Sequence, residues 1–330
     1  MGDRYRVVIT DFVTDVGLEE RLLGDLAAVE AVQATAEEQL RGRVEDADAL
    51  LVYHYIALGA ATIERLRRCR VIVRCGVGYD NVDGACARRR GIPLCNVPDY
   101  GTEDVADSTM GLLLALARGI GVLNSRLRAG LGSWSYTQAA PLLRLRDRVL
   151  GIVGLGRIGT AVALRARALG MDVVFYDPYR PDGVERAIGV RRAWTLDELL
   201  AQAFVLSVHC PLTAETAGMI GAAALARLPR GAYLVNTARG GIVDTGAVAD
   251  AIASGQLAGA GIDVLPVEPP PPDDRLVAAW RDSAHPAHHR VLITPHVAFY
   301  SEQGLEDMRV KGAAGVRRAL LGEPLRNVVN

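Results

Sequence analysis

Three side chains with complementary chemistry lie in the second half of the sequence. Arg239, Glu268 and His296 each come a few residues after a short apolar run. A histidine can donate a proton near neutral pH, and a carboxylate beside it favours its imidazolium form. An arginine offers a planar fork of N–H groups that matches a carboxylate. Each of these residues, taken alone, could as readily have a purely structural role. Together they predict one site, because ligands of open α/β sheets bind where successive strands end.

A glycine-rich turn precedes these residues and predicts a dinucleotide site. Gly154, Gly156 and Gly159 follow an apolar run and open an alanine-rich helical stretch. The first glycine permits a tight turn, the second lets the backbone approach a pyrophosphate, and the third lets helix pack on strand. Asp177, 18 residues after Gly159, would accept a hydrogen bond from a ribose 2′-hydroxyl, which favours NAD over NADP. Arg180, three residues further on, leaves use of NADP open.

The elements that would position these groups alternate along the chain, as in an α/β fold with parallel strands and crossover helices. Strands are predicted over 6–10, 49–53, 71–75 and 92–98, and a helix over 61–68. A long helix is predicted over 103–130, with Thr102 as its N-cap. The alternation restarts at 148 and continues to 294, and the tail 300–319 is helical again.

Length and charge restrict the class of protein. The 330 residues predict about two domains at roughly 150 residues each. The 37 basic and 38 acidic residues nearly cancel, so nucleic acids and anionic membranes are poor candidate partners. The longest apolar run, 110–117, falls short of a membrane span, and the N-terminus lacks a signal-peptide core. A cytoplasmic protein is expected.

Cysteines and histidines do not suggest a metal site. The five cysteines are odd in number, form no C-x-x-C pair and are expected to be reduced thiols in the core. His285, His288 and His289 cluster in a segment interpreted as an exposed loop, with no carboxylate or cysteine that completes a ligand pattern. The proline run 268–274 is likewise expected to be a surface loop. No metal is expected.

The segments NTARGGIVD, AGIDVLPVEP and TPHVAFYSE, with the glycine-rich turn, resemble the D-isomer-specific 2-hydroxyacid dehydrogenase family. The segments FYDPYRPDGVERAIGV and HVAFYSEQ are most similar to its C-terminal-binding protein branch. The resemblance implies two Rossmann-like parallel-sheet α/β domains. A nucleotide-binding domain, 100–297, would be inserted into a discontinuous flavodoxin-like substrate domain, 1–99 and 298–330.

The resemblance also implies the chemistry and the residues that perform it. The expected function is a dehydrogenase or 2-keto acid reductase that uses NAD(H), with His296 as proton donor, Glu268 as its partner and Arg239 binding the carboxylate and keto oxygen. The cofactor residues implied are Thr109, Gly154, Leu155, Gly156, Arg157, Ile158, Gly159, Asp177, His209, Pro211, Thr213, Thr237, Ala238 and Asp263.

The expected substrate contacts are less specific. Backbone N–H groups at Gly76, Val77 and Gly78 could hold a carboxylate oxygen, although the glycines could equally form a plain turn. Arg74 and His54 could contact a second anionic group, as in phosphonopyruvate, or be an ordinary surface arginine and a core histidine. Phe299, at the end of the HVAF segment, stands where the C-terminal-binding protein branch carries a tryptophan.

Two expectations concern partners. The helix 103–130 and the segment to 145 are expected at a homodimer interface, by resemblance alone. The alternative function is an NAD(H)-sensing, protein-binding scaffold or co-repressor with little turnover, as the C-terminal-binding protein branch suggests.

Overall fold

The computed structural model describes residues 4–330, which form two compact units. Unit 1 comprises the described residues up to Gly101 together with Tyr300–Asn330, and unit 2 is Thr102–Phe299. The chain therefore leaves unit 1 once and later returns to it. The boundaries lie at 101/102 and 299/300, each two residues later than the sequence placed them.

Unit 1 is built on one parallel sheet. Its strands are β1 (Tyr5–Ile9), β2 (Ala27–Ala31), β3 (Ala49–Val52), β4 (Val71–Arg74) and β5 (Leu94–Asn96). They pair in the order β2-β1-β3-β4-β5, which is the order of flavodoxin-like sheets. The central strands are continuous apolar runs because helices cover both faces of a parallel sheet. The predicted strands agree with the observed ones to within one or two residues at each end.

The helices of unit 1 that precede the passage of the chain into unit 2 are short. They are α1 (Gly17–Leu23), α2 (Ala60–Ile63) and α3 (Gly84–Arg89), with a 3₁₀ turn at Glu37–Leu40. The predicted helix over 61–68 is wrong beyond Ile63. After that residue the hydrogen bonds tighten, since Arg65 N–H donates to Thr62 O and Leu66 N–H to Ile63 O. Arg67 N–H then bonds to Glu45 O, so the chain has left the helix.

Unit 2 contains seven parallel strands. They are β6 (Val149–Val153), β7 (Asp172–Tyr176), β8 (Arg191–Arg192), β9 (Val205–Val208), β10 (Ala232–Asn236), β11 (Leu257–Ile262) and β12 (Val291–Ile293). The order β12-β11-β10-β9-β6-β7-β8 is that of a dinucleotide-binding Rossmann sheet with one added strand. The two parallel α/β sheets confirm the predicted fold class.

The helices of unit 2 cover both faces of this sheet. They are α4 (Thr102–Ala117), α5 (Ile120–Arg128), α6 (Arg157–Ala168), α7 (Val184–Ile188), α8 (Leu196–Leu200), α9 (Ala222–Arg227), α10 (Thr245–Ala253), α11 (Arg275–Arg281) and α12 (Ala287–Arg290), with 3₁₀ turns at Tyr136–Ala139 and Gly240–Ile242. Helices α4 and α6 pack on one face, and α8, α9 and α10 pack on the other.

Three predictions about unit 2 need correction. The long helix over 103–130 is two helices, α4 and α5, bent by 63°. Gly119 between them has φ +62°, a left-handed conformation that ends a right-handed helix. Helix α4 includes Thr102 as its first residue, so Thr102 is not an N-cap. The histidine segment expected to be a loop contains the short helix α12, which begins after Pro286.

The chain returns to unit 1 with α13 (Glu302–Leu321), close to the predicted tail helix. Met308, Val316 and Leu320 pack it into the core of unit 1.

The five cysteines are free thiols, as expected, and three of them are buried. Within residues 4–330 no single helix is long and apolar enough to cross a membrane, although α4 and α5 satisfy the length and composition requirement as a bent pair.

Candidate active site

The three predicted catalytic residues follow three neighbouring strands. Strands β10, β11 and β12 lie side by side at one edge of the unit 2 sheet. Arg239 follows β10, Glu268 follows β11 and His296 follows β12. Because the strands are parallel, the three side chains stand at the same end of the sheet.

Glu268 and His296 are hydrogen-bonded to each other. His296 Nδ1 lies 2.7 Å from Glu268 Oε2. Leu265 N–H donates to the other carboxylate oxygen, Oε1, at 2.8 Å. The side chain of His296 is 29% exposed and that of Glu268 is 36% exposed, so the pair is partly buried yet accessible to a ligand. The backbone fixes Glu268, Glu268 fixes the imidazole, and Nε2 is the ring nitrogen turned away from the carboxylate.

The charge on Glu268 is maintained despite its partial burial. Burial alone would raise the pKa of this carboxyl, but the hydrogen bond and charge of His296, the Leu265 N–H and the charge of Arg239 outweigh it. The net effect lowers the pKa of Glu268 below its ordinary value. An ionised carboxylate can only accept a hydrogen bond, so the hydrogen shared by the pair is carried by His296 Nδ1.

The turn that carries Arg239 is organised by a buried amide. Asn236 is 1% exposed, and its Nδ2 donates to Arg239 O at 3.0 Å while its Oδ1 accepts from Ala238 N–H at 3.1 Å. A Cβ on Gly240 would lie 2.0 Å from the backbone carbon of Leu265. Glycine is therefore required where this turn packs against the loop leading to Glu268.

Thr109 and Thr237, two of the predicted cofactor residues, are in contact. Their buried hydroxyl oxygens lie 2.8 Å apart. Thr109 O–H donates its single proton to Val105 O at 2.7 Å, so Thr237 donates the bond between the two hydroxyls. This contact ties α4 to the turn that carries Arg239. Ala238 lies in that same turn.

The glycine-rich turn after β6 is closely packed. Gly154 has φ +92°, and a Cβ there would lie 2.7 Å from the backbone nitrogen of Cys210. A Cβ on Gly159 would lie 2.2 Å from Gly154 O. Both glycines are therefore required by the surrounding backbone, as the sequence predicted for the turn and for helix packing.

Gly156 differs because the space beside it is open. The nearest atom that a Cβ would meet is Arg180 Nη2, at 3.7 Å. Helix α6 begins at the next residue, so the N–H groups of its first turn, at Arg157, Ile158 and Gly159, have no helical acceptor. Open space beside such N–H groups is what an anionic group requires.

Asp177 comes directly after β7 and connects two loops. Its Oδ2 accepts from Leu155 N–H at 2.8 Å and its Oδ1 from Tyr179 N–H at 3.0 Å. Arg180 Nε lies 3.7 Å from Oδ2. The carboxylate thus holds the glycine-rich turn, and a guanidinium beside it partly offsets its charge.

The predicted loop at 209–213 is fixed by residues on either side. His209 Nε2 lies 2.7 Å from Ser207 Oγ, and burial lowers the pKa of His209 to about 3, so the ring is neutral. Its buried Nδ1 has no hydrogen-bond partner among residues 4–330. Thr216 Oγ1 donates to Pro211 O and accepts from Thr213 N–H, which closes the loop.

Arg74 ends β4, and the predicted substrate residues Gly76, Val77 and Gly78 lie in the turn that follows it. Arg74 is 7% exposed; its Nε donates to Asn81 Oδ1 at 3.2 Å and its Nη1 to Cys75 O at 3.0 Å. A Cβ on Gly76, with φ +152°, would lie 1.5 Å from Arg74 Nη1. Gly76 is therefore needed to accommodate the arginine, and Val77 is exposed at the tip of this turn, next to Gly78.

His54 belongs to an aromatic group in unit 1. Its ring lies 4.7 Å from Phe12 and 4.7 Å from Tyr55, and Phe12 lies 5.5 Å from Tyr55. In unit 2, the Phe299 ring lies 6.2 Å from the His296 ring, edge to face. Phe299 is thus next to the predicted proton donor.

A family model described as D-isomer specific 2-hydroxyacid dehydrogenase, NAD binding domain, matches residues 110–298, more than half of the chain. The chain belongs to this family. The matched domain is described as NAD binding, and solved relatives are complexed with NAD or with NADP. The predicted family and its NAD-binding domain are confirmed.

Three relatives illustrate the range of this dehydrogenase family. C-terminal-binding protein 1 from Caenorhabditis elegans is 35% identical over 315 residues, covering 93% of this chain and 42% of the relative. D-3-phosphoglycerate dehydrogenase from Methanocaldococcus jannaschii is 33% identical over 325 residues, covering 98% and 59%. The chain thus spans about half the length of these relatives. A solved D-lactate dehydrogenase from Aquifex aeolicus, complexed with NAD and lactic acid, is 29% identical, with a TM-score of 0.84 over 96% of each chain.

The residues of unit 2 fit the family's dinucleotide. The open space at Gly156 and the first-turn N–H groups of α6 suit a pyrophosphate. The buried Nδ1 of His209 lacks a partner among the described residues, and the His209 backbone lies against Gly154. Among the same residues no group of three or more histidine, cysteine or acidic side chains is placed to hold a metal ion.

Sequence reasoning missed several residues that organise this site. Asn236 lies inside a segment that the sequence singled out, and Thr216 lies three residues beyond one, but neither was given a role. Asn236 could have been found, because a buried amide at the end of an apolar strand needs hydrogen-bond partners. Thr294 and Phe12 carry no comparable signal, since their neighbours come from distant parts of the chain.

Proposed function

We propose that this chain interconverts 2-keto acids and 2-hydroxy acids with NAD(H), using His296, Glu268 and Arg239. The observation that carries the proposal is the 2.7 Å contact between Glu268 and His296, at the same end of the sheet as Arg239. A histidine hydrogen-bonded to a carboxylate, at the same end of the sheet as an arginine, suits a reaction in which negative charge grows on a carbonyl oxygen.

The orientation of the His296 ring determines which of its nitrogens transfers the proton. His296 Nδ1 is engaged with Glu268, so Nε2 delivers the proton to the keto oxygen during reduction. NADH, which the glycine-rich turn after β6 and the first turn of α6 would hold, would supply the hydride that goes to C2. Arg239 binds the carboxylate and the keto oxygen through its planar N–H fork. In the reverse direction neutral His296 accepts the proton of the hydroxyl group, and Glu268 stabilises the resulting imidazolium.

The proposed substrate is a 2-keto acid. More specifically, we propose a 2-keto acid that carries a second anionic group, as phosphonopyruvate does. This specific proposal rests on Arg74 and His54. Arg74 donates to Asn81 and Cys75, so part of its capacity is used within unit 1, whereas His54 belongs to a partly exposed aromatic group. The backbone at 76–78 is a further proposed contact for the substrate, on the resemblance of its motif.

The test is a panel of 2-keto acids reduced with NADH, followed by NADH absorbance. The panel contains pyruvate, phosphonopyruvate and a branched apolar keto acid. We expect turnover of at least one member and a fall of about 10²–10⁴-fold in His296→Ala. His288→Ala, which removes an exposed histidine of the same unit, should retain full activity. Wild-type rates no higher than those of His296→Ala for every member would contradict the proposal.

A second candidate function is an NAD(H)-sensing scaffold that binds other proteins. The 35% identity with C-terminal-binding protein 1 favours it. The same panel separates the two functions. Tight NADH binding without keto acid turnover would support the scaffold, whereas turnover that depends on His296 supports the enzyme.

The homodimer proposal is supported by exposed apolar side chains around α5. Ile120, Leu131, Trp134 and Tyr136 are 57%, 54%, 91% and 85% exposed. Aromatic and aliphatic side chains concentrated in one segment suit a protein interface. Sedimentation should give twice the chain mass of 35.2 kDa, and Trp134→Glu should shift the protein toward monomer. A wild-type monomer would refute the proposal.

A further inference from the structure

His296 is held in an uncommon backbone conformation. Its φ is +51°, in the left-handed region that residues other than glycine seldom occupy. Such backbone strain persists where surrounding contacts fix the backbone. The contacts around His296 therefore identify what sets its position.

A single buried aspartate binds His296 and three neighbouring residues of its turn. Asp263 O accepts from His296 N–H at 2.8 Å. Its carboxylate binds residues on both sides of the histidine. Oδ1 accepts from Thr294 Oγ1 at 2.6 Å and from Val297 N–H at 2.9 Å, and Oδ2 accepts from Ala298 N–H at 3.0 Å. The turn 294–298 is thus wrapped around Asp263.

Asp263 is itself firmly placed. It is 2% exposed, directly follows β11, and its N–H donates to Asn236 O at 3.0 Å. Asn236 in turn holds the Arg239 turn, so one chain of hydrogen bonds connects the positions of Arg239 and His296. A carboxylate has about four acceptor positions, and three are used by the protein here, which leaves one for a ligand.

Thr294 fixes the carboxylate in this arrangement. Its O–H donates to Oδ1 over the shortest of the three contacts, and a bond between a hydroxyl and a carboxylate is stronger than one between neutral groups. Without this donor the carboxylate can rotate away from Val297 N–H and Ala298 N–H. The strained turn at His296 would then relax.

We propose that Asp263 and Thr294 are positioning residues, which hold the His296 ring in register with Glu268 for proton transfer. The inference rests on the proposed function, in which His296 is the proton donor. It gives Asp263 a role within the protein in addition to its expected contact with the cofactor. It also assigns a role to Thr294, the first residue of the TPHVAFYSE segment, for which the sequence predicted no role.

The test removes the hydroxyl rather than the carboxylate, because loss of Asp263 would leave buried N–H groups unpaired and could unfold the turn. Thr294→Val keeps the shape of the side chain and loses the donor. Thr294→Ser keeps the donor. Thr195→Val is the matched control, since it removes a threonine hydroxyl that caps α8 in the same unit.

Four quantities are measured for each variant: kcat, KM for NADH, the melting temperature, and the NMR titration midpoint of the His296 ring. The His296 signal is assigned by its loss in His296→Ala. In Thr294→Val we expect kcat to fall about tenfold with KM for NADH unchanged. We also expect the His296 midpoint to move to lower pH, because a looser contact with Glu268 favours the imidazolium less. Thr294→Ser should restore both values.

Two results would overturn the proposal. One is a Thr294→Val protein whose His296 midpoint and kcat equal those of Thr294→Ser. The other is an equal loss of kcat in Thr294→Val and Thr195→Val, in proportion to melting temperature, because that would be a general stability effect. Failure of the proposed function is distinguishable, since a wild type without turnover still reports the His296 midpoint by NMR.

Discussion

Two loops at the strand ends of unit 2 are held in place by opposite means. The turn after β6 requires glycine at two positions, because Cβ atoms at Gly154 and Gly159 would collide with the backbone. The turn after β12 depends on a buried side chain, because the carboxylate of Asp263 binds Thr294, Val297 and Ala298. The first loop is fixed by packing and the second by directed hydrogen bonds. We expect the two to respond differently to substitution.

The largest effect is expected where a Cβ meets backbone. Gly154 and Gly183 both have φ +92°, but a Cβ at Gly183 meets nothing within 4 Å. Alanine at either site would have to adopt the unfavourable left-handed conformation. Only in Gly154→Ala would the added Cβ also collide with the backbone of Cys210. We expect Gly154→Ala to lower the free energy of unfolding by about 1–3 kcal/mol more than Gly183→Ala. Urea unfolding measures this difference, and equal losses would show that packing does not fix the turn.

A smaller effect is expected at Asp177, where a side chain does contribute to the glycine-rich turn. Asp177→Ala removes the acceptor of Leu155 N–H and leaves the guanidinium of Arg180 without its neighbouring carboxylate. We expect the ratio of NADH to NADPH affinity to fall about tenfold, which is about 1.4 kcal/mol. Fluorescence titration with each cofactor measures it. Arg180→Gln should move the ratio in the opposite direction, and an unchanged ratio in Asp177→Ala would rule out the role assigned to this carboxylate.

The smallest effect concerns the pH dependence of stability near the same turn. Burial lowers the pKa of His209 to about 3 from the ordinary 6.5, so the unfolded chain binds this proton more readily. The stability contributed by neutral His209 is complete above pH 6.5 and is lost as pH falls toward the folded value. Between pH 6.5 and about 5.5 we expect wild type to lose about 1 kcal/mol more than His209→Gln. Parallel pH profiles of the two proteins would contradict this.

The contrast between the two loops also explains what the sequence could predict. A requirement for glycine is visible in the sequence, so Gly154, Gly156, Gly159 and the parallel α/β fold were predictable from local pattern. Strand positions followed from apolar runs that are buried on both faces. The bend at Gly119 was not recognised, because a glycine inside a helical pattern is often tolerated.

Positions defined by long-range hydrogen bonds were harder to predict. Asp263 was expected only as a cofactor contact, and Thr294 had no expected role, because their bond joins residues 31 apart in sequence. The Glu268 and His296 contact was anticipated through the resemblance of their motifs to a known family. The homodimer and the cytoplasmic location stay predictions.

The central claim is that the Glu268 and His296 pair transfers the proton, and the pH profile of kcat for keto acid reduction tests it most directly. Glu268→Gln keeps the size of the side chain and removes the charge that favours the imidazolium. We predict that kcat falls above a midpoint in the wild type, and that this midpoint lies about one pH unit or more lower in Glu268→Gln. An unchanged midpoint, or one that moves to higher pH, would contradict the account.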